Sequence, residues 1–247
     1  MDILNAVLLS LIAGLATGVG GGIVAMFGTL NMRAFSGLLG FAAGTMTAIA
    51  TLGLIHQAYT QGNTVVALMG VSVGAAVLFA FDRFLPHKHL PLVSVNCTDL
   101  RAYRRGLLLF SAMALHKIPE GLAIGTSYFV QPRLGLLLAL AIALHNIPEG
   151  IAVAGPFRAC GMSRRECIAW ATGSGLAEPV GAFVGAIFIT LSKSLLPFSL
   201  AFAGGAMLYV VSDELIPESH SHGYEHEATL GFIVGFLLLL ALLRWLR

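Results

Sequence analysis

Polar residues in this chain fall in short clusters separated by long apolar stretches. Runs dominated by Leu, Ala, Gly, Ile, Val and Phe cover residues 3–27, 35–58, 64–84, 106–129, 134–156, 166–190, 198–217 and 228–246. A helix needs about 20 apolar residues to cross a hydrocarbon core of ~30 Å, so each run predicts one transmembrane helix. Little chain is left over for a water-soluble unit. The pattern therefore predicts a single all-α integral membrane domain spanning 1–247. Its longest polar connections are a loop at about 86–105 and a histidine-bearing one at about 218–227.

Composition agrees with lipid as the main solvent. Of 247 residues, 57% are hydrophobic and 11% charged, against about 25% charged in an average soluble domain. A formal charge of +2 without a Lys/Arg run gives no footprint for nucleic acid. Cys97, Cys160 and Cys167 include no CxxC pair, so neither a disulfide framework nor a thiolate zinc site is indicated. Asp2 stands where a signal peptide would be basic, so the first run is expected to be a retained span.

Orientation follows from the Lys/Arg bias of short loops. With the N-terminus outside, nine basic residues (Arg33, Arg83, Lys88, Arg101, Arg104, Arg105, Arg158, Arg164 and Arg165) face the cytoplasm, and four (Arg133, Lys193, Arg244 and Arg247) face out. Both termini are thus expected outside. The "PHKHLP" and "PESHSHGYEHE" loops then face the cytoplasm. In the second, Glu218, His220, His222 and His226 are candidates for metal handling, although a hydrophilic turn has the same composition.

Two internal repeats add organisation. "ALHKIPEGLAIG" (114–125) aligns with "ALHNIPEGIAVA" (143–154), and "FAAGTMTAIATLGLI" (41–55) with "FAGGAMLYVVSDELI" (202–216). The fourth span thereby pairs with the fifth and the second with the seventh, each pair crossing in opposite directions. That is the signature of an inverted duplication, three spans, a central pair and three spans, a recurring transporter design.

Ionisable residues within a span cost several kcal/mol and mark function. Here they are His116, Lys117 and Glu120 in the fourth span, His145 and Glu149 beside Asn146 in the fifth, and Glu178 in the sixth; Asp213 and Glu214 lie near the end of the seventh. His and Glu four residues apart share a helix face. Two antiparallel helices presenting such faces bring together imidazoles and carboxylates, a donor set for Zn²⁺ and other divalent first-row ions. Pro119, Pro148 and Pro179 each free a carbonyl four residues earlier, at Leu115, Leu144 and Gly175. Such groups are tolerated where they line a cavity.

These motifs, HKIPEG, HNIPEG, "AEPVGA" and "SDELIPESH", together with eight spans, resemble the ZIP family of divalent metal transporters, and its GufA-like bacterial branch, over essentially the whole chain. The resemblance implies a 3+2+3 helix arrangement in a bacterial inner membrane. It further implies uptake of Zn²⁺ into the cytoplasm, with Fe²⁺, Mn²⁺, Co²⁺ or Cd²⁺ as further substrates, and a homodimer. By motif match it assigns His116, Glu120, His145, Asn146, Glu149 and Glu178 to a mid-membrane metal site. Many members carry Asn in place of Lys117, and there it helps to hold a second metal. A lysine ammonium has three donors and no acceptor, so Lys117 is expected to stand in for that second cation. The expected function is a secondary carrier. A channel-like path through the same site is the near alternative. An intramembrane zinc metalloprotease is a distant one, since the HExxH pattern is missing.

Overall fold

In the computed structural model, residues 2–84, 97 and 99–245 are described. The "PHKHLP" stretch lies outside them. Among the described residues the chain is all-helical, with eight helices long and apolar enough to cross a membrane: α1 (Asp2–Phe27), α2 (Met32–Gln61), α3 (Thr64–Arg83), α4 (Leu100–Val130), α5 (Pro132–Ala159), α6 (Arg164–Leu191), α7 (Lys193–His220) and α8 (Glu225–Arg244).

Helix starts follow local chemistry. Asn31 and Asp99 accept backbone N–H bonds at the beginnings of α2 and α4. Ser163 and Glu166 form a reciprocal capping box at α6. At the opposite turns, Gly28, Gly161 and Gly223 adopt positive φ, a conformation that costs glycine nothing.

Four helices depart from the expected continuous spans. α4 starts at Leu100, so the end of the 86–105 connection is helical. α2 and α7 each contain a π-helical segment, Ile49–Ile55 and Val211–Leu215. α6 breaks at Leu176, between Arg164–Gly175 and Ala177–Leu191. Pro179 contributes to the break, because it cannot donate to the Gly175 carbonyl. Pro119 and Pro148, by contrast, sit inside helices that run through.

Packing sorts the helices into two groups. α1 lies along α5 and both halves of α6, and α4 packs on α5 and on the second half of α6. In the other group α2 lies along α8, and α3 along α7. α5 is the most enclosed span, with 72% of its central window buried, whereas α3 and α8 have 22%. Leu4, Ile12, Leu68, Phe79, Leu230 and Val234 point outward, as the lipid-facing stripes of the outer helices require.

Candidate metal centre

The twin motifs place their charged residues in the interior of the first group. Lys117, Glu120, His145, Asn146 and Glu178 are fully buried, Glu149 is 1% exposed and His116 5%. Close backbone approach makes this possible. A Cβ at Gly121 would strike the backbone carbonyl of Glu178, and one at Gly150 would strike that of Thr17. The glycines of the two motifs therefore let α6 and α1 lie directly against α4 and α5. The break at Leu176 puts Glu178 in the first turn of a helix, where free N–H groups favour an anion.

Lys117 occupies the middle of the acidic cluster. Its Nζ donates to Glu120 Oε2 at 2.7 Å, to Asn146 Oδ1 and to Glu149 Oε2. All three donors of the ammonium are thus used. Asn146 is equally committed: its Nδ2 donates to Ala13 O at 2.7 Å and to Glu178 Oε2 at 2.8 Å. The amide is held oxygen toward lysine and nitrogen toward glutamate.

The remaining donors suit a metal. Glu120, His145 and Glu149 each offer an atom, and these atoms lie within 4.8 Å of one another. His145 Nε2 is 3.4 Å from Glu120 Oε1. Among the described residues, His145 Nδ1 and Glu178 Oε1 are buried without a hydrogen-bond partner. A divalent ion bound by carboxylates and imidazole, with spare polar atoms to hold water, fits that set.

His116 points elsewhere. Its Nε2 meets Glu214 Oε1 of α7 at 3.0 Å, across the boundary between the two helix groups. Glu214 belongs to a second acidic cluster with Asp82 and Asp213. His116, Tyr209 and these three acids line a cavity of about 330 Å³. Sequence reasoning missed Asp82, which looks like an ordinary helix-end acid until α3 and α7 pack together. It passed over Asp213 and Glu214 as residues near a span end; their place in a π-helical segment, a frequent mark of function, appears only in the fold.

The histidine-bearing loop divides. Both ring nitrogens of His220 are engaged, Nδ1 near Ile216 O at 2.9 Å and Nε2 near Thr229 Oγ1 at 3.4 Å. His226 is exposed. His222 Nε2 lies 3.9 Å from Glu218 Oε1, and the Arg105 guanidinium reaches both residues. The structure therefore brings Glu218 and His222 together and leaves His220 and His226 apart from them. The cysteines also differ from expectation: Cys97 and Cys160 form a disulfide, and Cys167 is free and buried. No spacing rule pointed to this pair, because 63 residues separate them and two helices bring them together.

The profile of the ZIP Zinc transporter family matches residues 93–243, a segment that contains both HxIPEG motifs, Glu178 and the end of α7. The chain belongs to the ZIP zinc transporter family. It is similar to the zinc transporter GufA of Myxococcus xanthus, with 40% identity over 94% of this chain and 95% of the relative. It is also similar to the zinc transporter ZupT of Corynebacterium glutamicum, at 36% identity over 92% and 93% of the two chains. A third relative, the zinc transporter ZIPB of Bordetella bronchiseptica, is 36% identical over 86% of this chain and 72% of its own. As a ZIP member the chain stands among transporters rather than proteases.

Proposed function

We propose that this protein is a secondary carrier that moves divalent metal, zinc foremost, into the cytoplasm. The buried triad Glu120, His145 and Glu149 is its transport site. The observation that carries this reading is the convergence of these three ligand atoms, buried on two adjoining spans and within 4.8 Å of one another. Zinc as the cargo is supported by the names of the relatives and by the mixed nitrogen and oxygen donors. In this reading the site takes one ion, and Lys117 is the second cation. If ionised, Glu120, Glu149 and Glu178 carry three negative charges; the ammonium offsets one, leaving the charge that one M²⁺ neutralises.

The inward path runs through His116. The acidic cluster of Asp82, Asp213 and Glu214 lies toward the ends of α3 and α7 that the Lys/Arg bias assigns to the cytoplasm. An ion leaving Glu120 meets His116 next, then carboxylates in a cavity wide enough for water. The site belongs to one helix group and the acidic cluster to the other. Relative movement of the groups would make and break the His116–Glu214 contact as access alternates.

An inverted 3+2+3 architecture suits this cycle. It is supported by the π-helical segments, which fall at matching places in the aligned stretches 41–55 and 202–216. Packing supports it too: under the repeat relation, α1 on α5 corresponds to α6 on α4, and α2 on α8 to α7 on α3.

The test is uptake of ⁶⁵Zn by liposomes containing the purified protein. Wild type should show saturable uptake, and His145→Ala and Glu149→Ala should lose it. Equal uptake by both variants would remove the site assignment.

A further inference from the structure

A cavity of about 420 Å³ lies where the ends of α1, α2, α4, α5 and α7 meet; it shares Leu109, Ala152 and Glu218 with a neighbouring cavity that Asp213 and Glu214 of the proposed path also line. The walls of the first include Asp99, Ala102 and Arg105 on one side and Gly155, Pro156 and Ala159 on the other. The cysteine pair adjoins its lining, Cys160 directly after Ala159 and Cys97 two residues before Asp99. Cys97 precedes the Asp99 cap of α4, and Cys160 is the residue that ends α5. Their Cα atoms are 5.2 Å apart, inside the range of about 4.4–6.8 Å that a disulfide spans.

Other contacts hold these helix ends together without the bond. Tyr103 of α4 and Phe157 of α5 meet edge to face at 6.0 Å, and Phe157 stacks on Trp170 of α6 at 4.8 Å. A Cβ at Gly106 would press into the Phe157 ring. The two sulfurs therefore stay within reach of each other as thiols. Six arginines, at 101, 104, 105, 158, 164 and 165, crowd the same ends. On the orientation proposed above, this is the cytoplasmic face, where thiols are kept reduced and disulfides are transient or redox-sensing.

We propose that Cys97 and Cys160 form a reversible redox clasp at the cytoplasmic mouth of the transport path, open as a dithiol and closed as a disulfide under peroxide. The clasp rests on that reading of orientation and transport. Cys97 is partly exposed and Cys160 fully buried, so Cys97 meets the oxidant first. Its thiolate attacks one oxygen of hydrogen peroxide; the O–O bond breaks, water leaves after protonation, and the sulfur becomes a sulfenic acid. The Cys160 thiolate then attacks that sulfur, the S–S bond forms, and the S–O bond breaks to release a second water. In sum, two thiols and one peroxide give one disulfide and two waters. A cytosolic dithiol reductant reverses the step through a mixed disulfide, supplying both electrons. When closed, the bond adds a covalent tie beyond those ring contacts, so Cys97 and Cys160, at the outermost ends of α4 and α5, cannot part to widen the mouth. Cys167, whose thiol faces Met162 O at 3.9 Å, stays outside the reaction.

The experiment uses the full-length protein in liposomes of phosphatidylcholine and phosphatidylglycerol. After peroxide, mass spectrometry should find a Cys97–Cys160 cross-linked peptide, and ⁶⁵Zn uptake should fall by about threefold or more, as expected where opening limits turnover. Dithiothreitol should restore the rate. Cys97→Ser and Cys160→Ser should keep one rate under both treatments, while Cys167→Ser responds like wild type. Absence of the cross-linked peptide after peroxide, or unchanged uptake by the bridged protein, overturns the proposal. Cells quenched with N-ethylmaleimide supply a second arm: both cysteines should be alkylated before peroxide stress, and a bridge already complete there overturns reversibility. Lack of zinc uptake by the reduced wild type would refute the transport reading instead, and the peptide measurement is independent of it.

Discussion

Replacing Lys117 by asparagine should change the number of ions the buried site holds from one to two. The ammonium touches Glu120, Asn146 and Glu149 at once, so it occupies the place where a second ion would share those carboxylates. Paired metals sit about 3.5–4 Å apart. With the ammonium seated there, a second divalent ion is excluded by contact, and the first, about 4 Å away, feels a repulsion of about 8 kcal/mol at an effective dielectric constant of ~20, which asparagine removes. Asparagine removes the charge and supplies a carbonyl oxygen. Bound zinc, counted by mass spectrometry of the purified protein, should rise from one to two per chain. The count is made in an Asp213→Asn, Glu214→Gln background, so that the inner acids do not contribute. A companion variant, Lys117→Met, strands two buried carboxylates and should cost about 3–5 kcal/mol in the metal-free protein, recovered in part by zinc. Two tight buried ions with Lys117 intact, or one ion in Lys117→Asn, would refute the reasoning.

Further outcomes follow from the packing of the site. Gly121→Leu should push its side chain into the Glu178 backbone and cost about 1–3 kcal/mol or more by overpacking; thermal unfolding and loss of zinc protection would register it. His116→Ala should slow uptake by on the order of tenfold yet leave zinc affinity of the buried site within about twofold, since its Nε2 faces Glu214 rather than the triad. Dye-competition titration beside the flux assay separates these effects. Asn146→Ala should lower stability by about 1–3 kcal/mol, because Glu178 and the Lys117 ammonium each lose a buried partner; a melting curve measures it.

Much of the fold was legible because lipid imposes a simple rule. Eight apolar runs became eight spans, with ends that moved by a few residues where Leu100 and Met32 extended the helices. Candidate site residues stood out because charge within a span has few bland explanations, and Glu120, His145 and Glu149 do come together in space. Three features resisted prediction, each for a physical reason. His116 shares a helix face with Glu120, but a partner on α7 draws it away, and tertiary contacts are invisible to periodicity. The separation of Cys97 from Cys160 hides a contact that only the packing of α4 on α5 creates. The motif glycines suggested a thin wall around the site; in the fold they admit the backbones of α1 and α6.

Anomalous scattering from zinc-loaded crystals, recorded at the zinc edge, tests the central claim most directly. The account predicts one strong peak among Glu120, His145 and Glu149, with the Lys117 side chain in place beside it. Two peaks in that cluster, or zinc only at Asp82, Asp213 and Glu214, would contradict it.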